Sequence, residues 1–274
     1  MKVVLNKIMK ALNLSKITEE INHQKCIIGS KIHYHDVLES TMAEAKNLAR
    51  CNCEEGTVVI AERQTSGRGR LDRNWISPEG GIWMSIILYP DLIPDEIPLI
   101  TLSAGTAVCT VIEQLYQVYP GLKWPNDVIL NGKKICGILT EGSIGRTGLD
   151  YAILGIGLNL NFDSTHLPVE LKGYASTVIS ETGILFNTEE VLKCLLLELD
   201  KTYNCFISER KKIISLWESY SITLGQNVSA FFDNHTITGI ATRITEKGSL
   251  IILAENSGKE VEVNSGVVSI RPKI

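Results

Sequence analysis

Apolar side chains recur along the 274 residues at spacings that change from one stretch to the next. Val4, Ile8 and Leu12 fall one turn apart and predict a short amphipathic helix over 3–12. The alternation in KIHYHDV (31–37) predicts a strand. Thr41 and Glu44 set a capping-box pattern at the head of a helix, TMAEAKNLAR. TVVIAERQ (57–64) and IWMSIILY (82–89) are apolar runs of strand length, whereas 97–118 keeps helical periodicity long enough to be a helix. Three more strands are predicted around LKWPNDVIL, KICGILTEGS and DYAILGIGLNL, then helix over 188–220. After Gly225 short β-rich segments (NVSAFF, ITGIATRI, LIILAE, EVEVNS, VVSIRP) alternate with DNH, EKGS and NSGK turns, predicting a barrel-like module of about 50 residues. Strands and helices do not alternate one for one. The pattern therefore predicts an α+β fold, a mixed sheet with helices on one side, and not a doubly wound parallel sheet.

Composition adds bounds. A formal charge of −4 excludes a protein that coats nucleic acid by general electrostatics. The seven cysteines are scattered and odd in number, which is free-thiol usage in a reducing compartment. Cys51 and Cys53 form a C-x-C with no second pair at zinc-ligand spacing, so no structural metal is expected. Lysines at 2, 7 and 10 interrupt the N-terminal apolar residues, so the ~7–15-residue core of a signal peptide is missing. No run reaches the ~18 apolar residues of a membrane span. The expected location is the cytoplasm.

Against that acidic background stands RQTSGRGRLDRNW (63–75), four arginines among glycines just after a predicted strand. Glycine lets main chain approach a ligand closely, and arginine supplies planar donors suited to carboxylate and phosphate. Dinucleotide and P-loop readings fail: Asp72 stands where G-x-G-x-x-G needs its third glycine, and Gly132-Lys133 is followed by Lys134. Two other segments also set polar groups among glycines at strand ends, KWPNDVILNGKKICGILTE (123–141) and GIGLNL (155–160). Asn126 and Asp127 present an amide and a carboxylate together, a ligand set suited to Mg²⁺ shared with phosphates, although WPND would form a β-turn in any case.

Taken together the three segments resemble the biotin protein ligase family. The matching residues are Gln64 with Gly67-Arg68-Gly69-Arg70 and Arg73…Trp75, Lys123 to Asp127, Lys134…Gly137-Ile138-Leu139…Glu141, and Gly155…Gly157…Asn159. The resemblance runs from about residue 28 to the C-terminus and implies a catalytic domain over 28–224, an SH3-like β-module over 225–274 and a helical arm over 1–27. It implies an enzyme that joins biotin to the α-phosphate of ATP with Mg²⁺ and then passes biotin to a lysine of a biotin carboxyl carrier domain. Ser40, Thr41, Gln64, Gly67 and the Arg68 backbone would take the ureido ring. Gly137, Gly155 and Gly157 would leave room for the bicycle and valeryl chain. Arg70 and Lys134 would stand at the carboxylate–phosphate junction, with Lys134 stabilising charge there. Arg73, Asn126, Asp127, Asn159 and Arg271 would serve the nucleotide, Asp127 also Mg²⁺ through the phosphates, and Trp75 the adenine-side loop.

The chain departs from the family at three positions. Met42 follows Ser40-Thr41 where the family commonly has Asn, and Leu71-Asp72 replace the usual Arg-Gly, so that Asp72 is placed to pair with Arg70 or Arg73. About 27 residues precede the match, fewer than the roughly 40 that a three-helix DNA-binding unit needs. The expectation is a monofunctional ligase without DNA binding and free of membranes, and the resemblance implies a homodimer through the central sheet. A lipoate or octanoate ligase or transferase is the competing enzyme, disfavoured by the SGRGR loop and the trailing β-module; a biotin sensor without ligation is the competing non-enzyme.

Overall fold

The structure, a computed structural model, describes residues 12–146, 148–232, 235–264 and 266–270. The helix expected over 3–12 therefore lies outside the described residues, apart from Leu12. A helix that the spacing did not predict follows it, α1 (Leu14–His23), capped by the Asn13 side chain and burying Ile17 and Ile21.

The larger sheet takes its strands in the spatial order β1 (Ile32–Leu38), β2 (Val58–Arg68), β4 (Ile82–Leu88), β8 (Leu149–Leu158), β7 (Lys133–Ile144), β6 (Asp127–Leu130) and β5 (Gly121–Lys123), with β3 (Asn74–Ser77) paired to the far end of β2. Only β1 and β2 run parallel; the other pairs are antiparallel. The mixed α+β sheet is as expected. Its helices, however, lie on both faces. Val58, Ile60, Met84, Ile86 and Ile156 point into one core, and Val59, Ile87 and Ile153 into another, because strand side chains alternate. The first core takes α3 (Ile97–Tyr116) and α5 (Thr188–Ser208), beside α6 (Arg210–Tyr220). The second takes the short α2 (Thr41–Arg50) through Met42, Ala45 and Ala49. Segment Pro94–Tyr116 is long and apolar enough to cross a membrane, yet most of it is buried against the sheet and α5.

Two local expectations change. Thr41 is inside α2, not ahead of it, and its hydroxyl bonds elsewhere, so Thr41 and Glu44 form no capping box; Ser40 is the N-cap residue and makes no side-chain cap bond. LKWPNDVIL is a hairpin instead of one strand: Lys123 pairs with Asp127 across the Trp124–Asn126 turn.

The C-terminal segments form a second, antiparallel five-stranded sheet in the order β12 (Glu260–Val263), β11 (Leu250–Ala254), β10 (His235–Ile244), β9 (Asn227–Phe232) and β13 (Val267–Ile270). It is clamped to the KWPND turn. Trp124, 1% exposed, donates its indole N–H to Gly248 O at 3.0 Å, and its main-chain N–H to Thr223 Oγ1 at 3.0 Å.

Candidate active site

The Gly/Arg segment is mostly strand. β2 continues to Arg68 and folds back through a hairpin onto β3, pairing Gly67 with Trp75 and Arg68 with Asn74, so only Gly69–Arg73 remains as loop. At the tip, Leu71 and Asp72 both take positive φ (56° and 55°), a region L side chains occupy at a cost. Among the described residues Asp72 joins no ion pair, so the expected pairing with Arg70 or Arg73 is not made.

The hairpin carries Trp75 onto the sheet face that α2 covers in part. A Cβ at Gly157 would stand 2.4 Å from Trp75 Nε1, and one at Gly137 would stand 2.8 Å from Trp75 Cζ3. These two glycines are paired partners on β8 and β7. They form a flat floor under the indole that any side chain would fill. Two residues back on β8, Gly155 performs the same service for Met42, whose Sδ would be 2.6 Å from its Cβ. The structure thus sets Trp75 against Gly137 and Gly157, two of the positions expected to take biotin.

At one end of this groove the N-terminus of α2 meets β2. Gln64 Oε1 accepts from the Thr41 main-chain N–H (2.8 Å) and hydroxyl (3.1 Å), and Gln64 Nε2 donates to Ser77 Oγ (2.8 Å). Ser85 Oγ donates to Thr41 Oγ1 at 2.8 Å. Ser77 and Ser85 lay beyond reach of the motifs; their only signal is that each sits inward on its strand beside a tryptophan-bearing position. A cleft of about 340 Å³ opens along 63–67 and 74–78, beside Gln64 and Trp75.

The other end is charged. Lys134 Nζ stands 2.5 Å from Asp127 Oδ1 and 5.1 Å from the centre of the Trp75 ring. Arg70 donates to Asn126 Oδ1 at 3.0 Å and to Gly266 O at 3.0 Å, joining the loop to the KWPND turn and to the second sheet. Burial pulls the Arg70 guanidinium below its ordinary value, with Asp127 opposing that shift and Arg73 adding to it. Arg68 and Arg73 are exposed beside it. Asn159 is buried, and its Nδ2 donates to Ser176 O at 2.9 Å. Arg271 lies outside the described residues. The segment after Asn159 borders these residues: Trp83, Phe162 and Leu167 pack together with Trp75 and Ala175 against them, and a cavity of about 220 Å³ lies among Lys133, Ser164, Thr165, Lys172 and Ser176. It carries no motif that composition or spacing would flag.

Among the described residues, five buried side-chain polar atoms make no hydrogen bond: Ser40 Oγ, Trp75 Nε1, Asp127 Oδ1, Asn159 Oδ1 and Glu141 Oε2. Asp127 and Glu141 still have a lysine ammonium against them, out of line for a hydrogen bond. Buried polar groups are rarely left unpaired in native folds. Here Ser40 lies at one end of the groove, Asp127 and Asn159 at the other, Glu141 on a floor strand and Trp75 over the floor, so unpaired polar groups stand at both ends.

The mixed sheet, its groove and the trailing antiparallel sheet together point to one class of protein. Residues 34–159 match the model of the biotin/lipoate A/B protein ligase family, and residues 223–271 that of the biotin protein ligase C terminal domain. The chain is 39% identical over 246 residues to the bifunctional ligase/repressor BirA of Bacillus subtilis, covering 89% of this chain and 73% of that protein. It is 30% identical over 227 residues to the biotin–[acetyl-CoA-carboxylase] ligase of Mycobacterium tuberculosis, covering 79% of this chain and 80% of that one. The biotin protein ligase of Aquifex aeolicus, solved in complex with biotin and ATP, is similar with a TM-score of 0.76 at 32% identity, over 89% of this chain and 99% of the other. The chain belongs to the biotin protein ligase family.

Proposed function

We propose that the chain is an ATP-dependent biotin protein ligase, which makes biotinyl-5′-AMP from biotin and ATP and then transfers biotin to a lysine of a biotin carboxyl carrier domain. The observation that carries this is the groove: a glycine floor under an indole, unpaired polar atoms at both ends, and a lysine–arginine junction at one of them. The match of residues 223–271 to the biotin-ligase C-terminal domain favours biotin over lipoate or octanoate.

In the first step a biotin carboxylate oxygen attacks the α-phosphorus of ATP, and the bond to the bridging oxygen breaks to release pyrophosphate. Both reactants are anionic. Lys134 and Arg70 supply fixed positive charge where they meet, and they do so without reorganising during reaction. Lys134 is held by Asp127 and Arg70 by Asn126 and Gly266, so each cation is aimed before ligands arrive. Ser40 and the Thr41–Gln64 pair read the ureido group, and Gly137, Gly155 and Gly157 make room for the bicycle and chain once the indole resting on that floor is displaced. Arg73, Asn159 and Arg271 serve the phosphates. In the second step the substrate lysine attacks the acyl carbon and AMP leaves, which is why no nucleophile of this chain is needed.

Among the described residues no cluster of three or more His, Cys, Asp or Glu could hold a resident metal. Among the described residues Asp127 is the carboxylate paired with Lys134, and Asn126 Oδ1 is already engaged by Arg70. That donor set fits Mg²⁺ arriving on the triphosphate, where it would neutralise phosphate charge, with Asp127 as its one protein carboxylate. The catalytic unit is assigned to 28–224, the β-module to 225–274 and the arm to 1–27.

The test is transfer of labelled biotin to a purified biotin carboxyl carrier domain in the presence of ATP and Mg²⁺. Label that appears on the carrier, and disappears when its acceptor lysine is replaced, is the expected result. Adenylate formed without any transfer would contradict the ligase reading.

A further inference from the structure

Glu141 closes the segment Lys134…Gly137-Ile138-Leu139…Glu141, yet it takes no part in the steps above. Its place in the fold gives it a task. Strand alternation sets Gly137, Leu139 and Glu141 on one face of β7, opposite Gly157, Gly155 and Ile153 of β8. α2 lies on that face. A Cβ at Gly155 would stand 2.6 Å from Met42 Sδ, and one turn later the Lys46 ammonium meets the Glu141 carboxylate. From Met42 to Lys46 the helix rises about 6 Å, and from Leu139 to Glu141 the strand advances about 7 Å. The two repeats coincide, so both contacts form at once.

The rest of the buried face of α2 beyond Met42 is small, Ala45 and Ala49 against Val59, Ile87 and Ile153. Alanines make low ridges, which hold a helix down but fix its axial position weakly. At the head of α2, Gln64 Oε1 holds the Thr41 N–H and hydroxyl. Those groups are the ones assigned to the ureido ring, so their bonds are exchanged when it is read. Lys46–Glu141 is an anchor outside the reading set. Glu141 Oε2 is buried and, among the described residues, makes no hydrogen bond, so the Lys46 ammonium is what offsets its charge.

We propose that Lys46 and Glu141 are positioning residues for biotin recognition: their ion pair sets α2 along its axis so that Ser40 and Thr41 stand where the ureido group is read. The inference rests on the biotin reading above. A slide of α2 by a fraction of a turn carries Ser40 Oγ and the Thr41 N–H off that group, whereas Lys134, Asp127, Arg70 and Asn126 are fixed to one another on other elements. Loss of the pair therefore weakens biotin and leaves the nucleotide end in place. The two side chains are 32% and 36% exposed, so the pair adds little to global stability and its removal shows in binding.

The experiment measures the KM for biotin, the KM for ATP and kcat in pyrophosphate exchange, and the Kd for biotin by calorimetry. The proteins are the wild type, Lys46→Met, Glu141→Gln, Lys46→Arg and the exchanged pair Lys46→Glu with Glu141→Lys. Lys46→Met and Glu141→Gln are each expected to raise the KM and Kd for biotin about five- to tenfold, with the KM for ATP and kcat within about twofold. Lys46→Arg, which keeps the charge, and the exchanged pair, which restores it, are expected to stay within about twofold of the wild type. Unchanged biotin affinity in both single variants overturns the proposal. So does a KM for ATP that rises as much as the KM for biotin, the mark of general loosening, and so does an exchanged pair no better than the single variants. A wild type that does not activate biotin overturns the ligase reading itself, a result distinguishable from all of these.

Discussion

Gly157→Ala places one methyl group on the floor of the groove, and its consequences can be worked from the structure. The new Cβ would stand 2.4 Å from Trp75 Nε1 and 2.7 Å from Cε2. Carbon contacts settle near 3.5–4.0 Å, so the indole must retreat by about 1 Å. Trp75 is half-buried on the four-residue β3, whereas β8 is paired on both sides, so the ring gives way and the strand does not. Overpacking costs about 1–3 kcal/mol, and a yielding neighbour puts this case at the low end. For a chain of this size ~1 kcal/mol lowers Tm by about 2–4 °C. The ligand loses more, because the bicycle or chain reaches this floor only by displacing the indole that rests on it, and the methyl then occupies the plane it would take. A clash of 1–3 kcal/mol raises the KM for biotin about 5- to 150-fold. Pyrophosphate exchange titrated with biotin reads this, and the KM for ATP, expected to move far less, is the internal comparison. Adding Trp75→Ala should recover stability lost to the clash without recovering biotin affinity. An unchanged biotin KM in Gly157→Ala would refute the assignment of this floor to biotin.

Four further perturbations separate the parts of the site. Lys134→Ala removes the cation at the junction and leaves Asp127 without its ammonium, so kcat for exchange should fall about 10²–10³-fold with little change in Tm; a retained kcat would displace Lys134 from its role. Trp124→Phe deletes the N–H donated to Gly248 O and strands a buried carbonyl, which should cost about 1–3 kcal/mol in thermal or urea unfolding. Asp72→Gly relieves one residue of positive φ at the loop tip, worth about 1–2 kcal/mol locally, and should change the rate of adenylate release measured by rapid dilution; an unchanged rate would show that tip strain does not govern the loop. Burial alone would raise the Glu181 carboxyl, but Lys133, Ser176 and Asn131 hold it below its ordinary 4.5. A depressed carboxylate adds stability above its unfolded value, lost as pH falls through the folded one, so Glu181→Gln should flatten the acid limb of the Tm–pH profile below about pH 4.5.

The fold was legible where side-chain periodicity alone determines an element. The long buried helix over Ile97–Tyr116, the apolar strands β2, β4 and β8 and the five-stranded module all stand where alternation and turn residues placed them. What periodicity cannot carry is which face a short helix covers. The burial of Met42 and Ala45 matches the far side of the sheet as well as the near one, so α2 was placed with the others. The motif residues Lys134, Arg70, Asn126, Asp127, Gln64 and the three glycines do converge on one groove. Arg70 bonding Gly266, 196 residues away, and Trp124 bonding Gly248 were invisible, since a main-chain carbonyl acceptor leaves no trace in residue identity. Neighbours in sequence give Asp72 a charge role, but at its positive φ it joins no ion pair among the described residues.

The central claim is that the groove activates biotin with ATP at the Lys134–Arg70 junction. Its most direct test is exchange of labelled pyrophosphate into ATP with Mg²⁺ and, separately, biotin, lipoate or octanoate, for the wild type and Lys134→Ala. Exchange with biotin alone, lost in Lys134→Ala, is the predicted result. Exchange driven by the fatty acids and not by biotin, or exchange indifferent to Lys134, would contradict it.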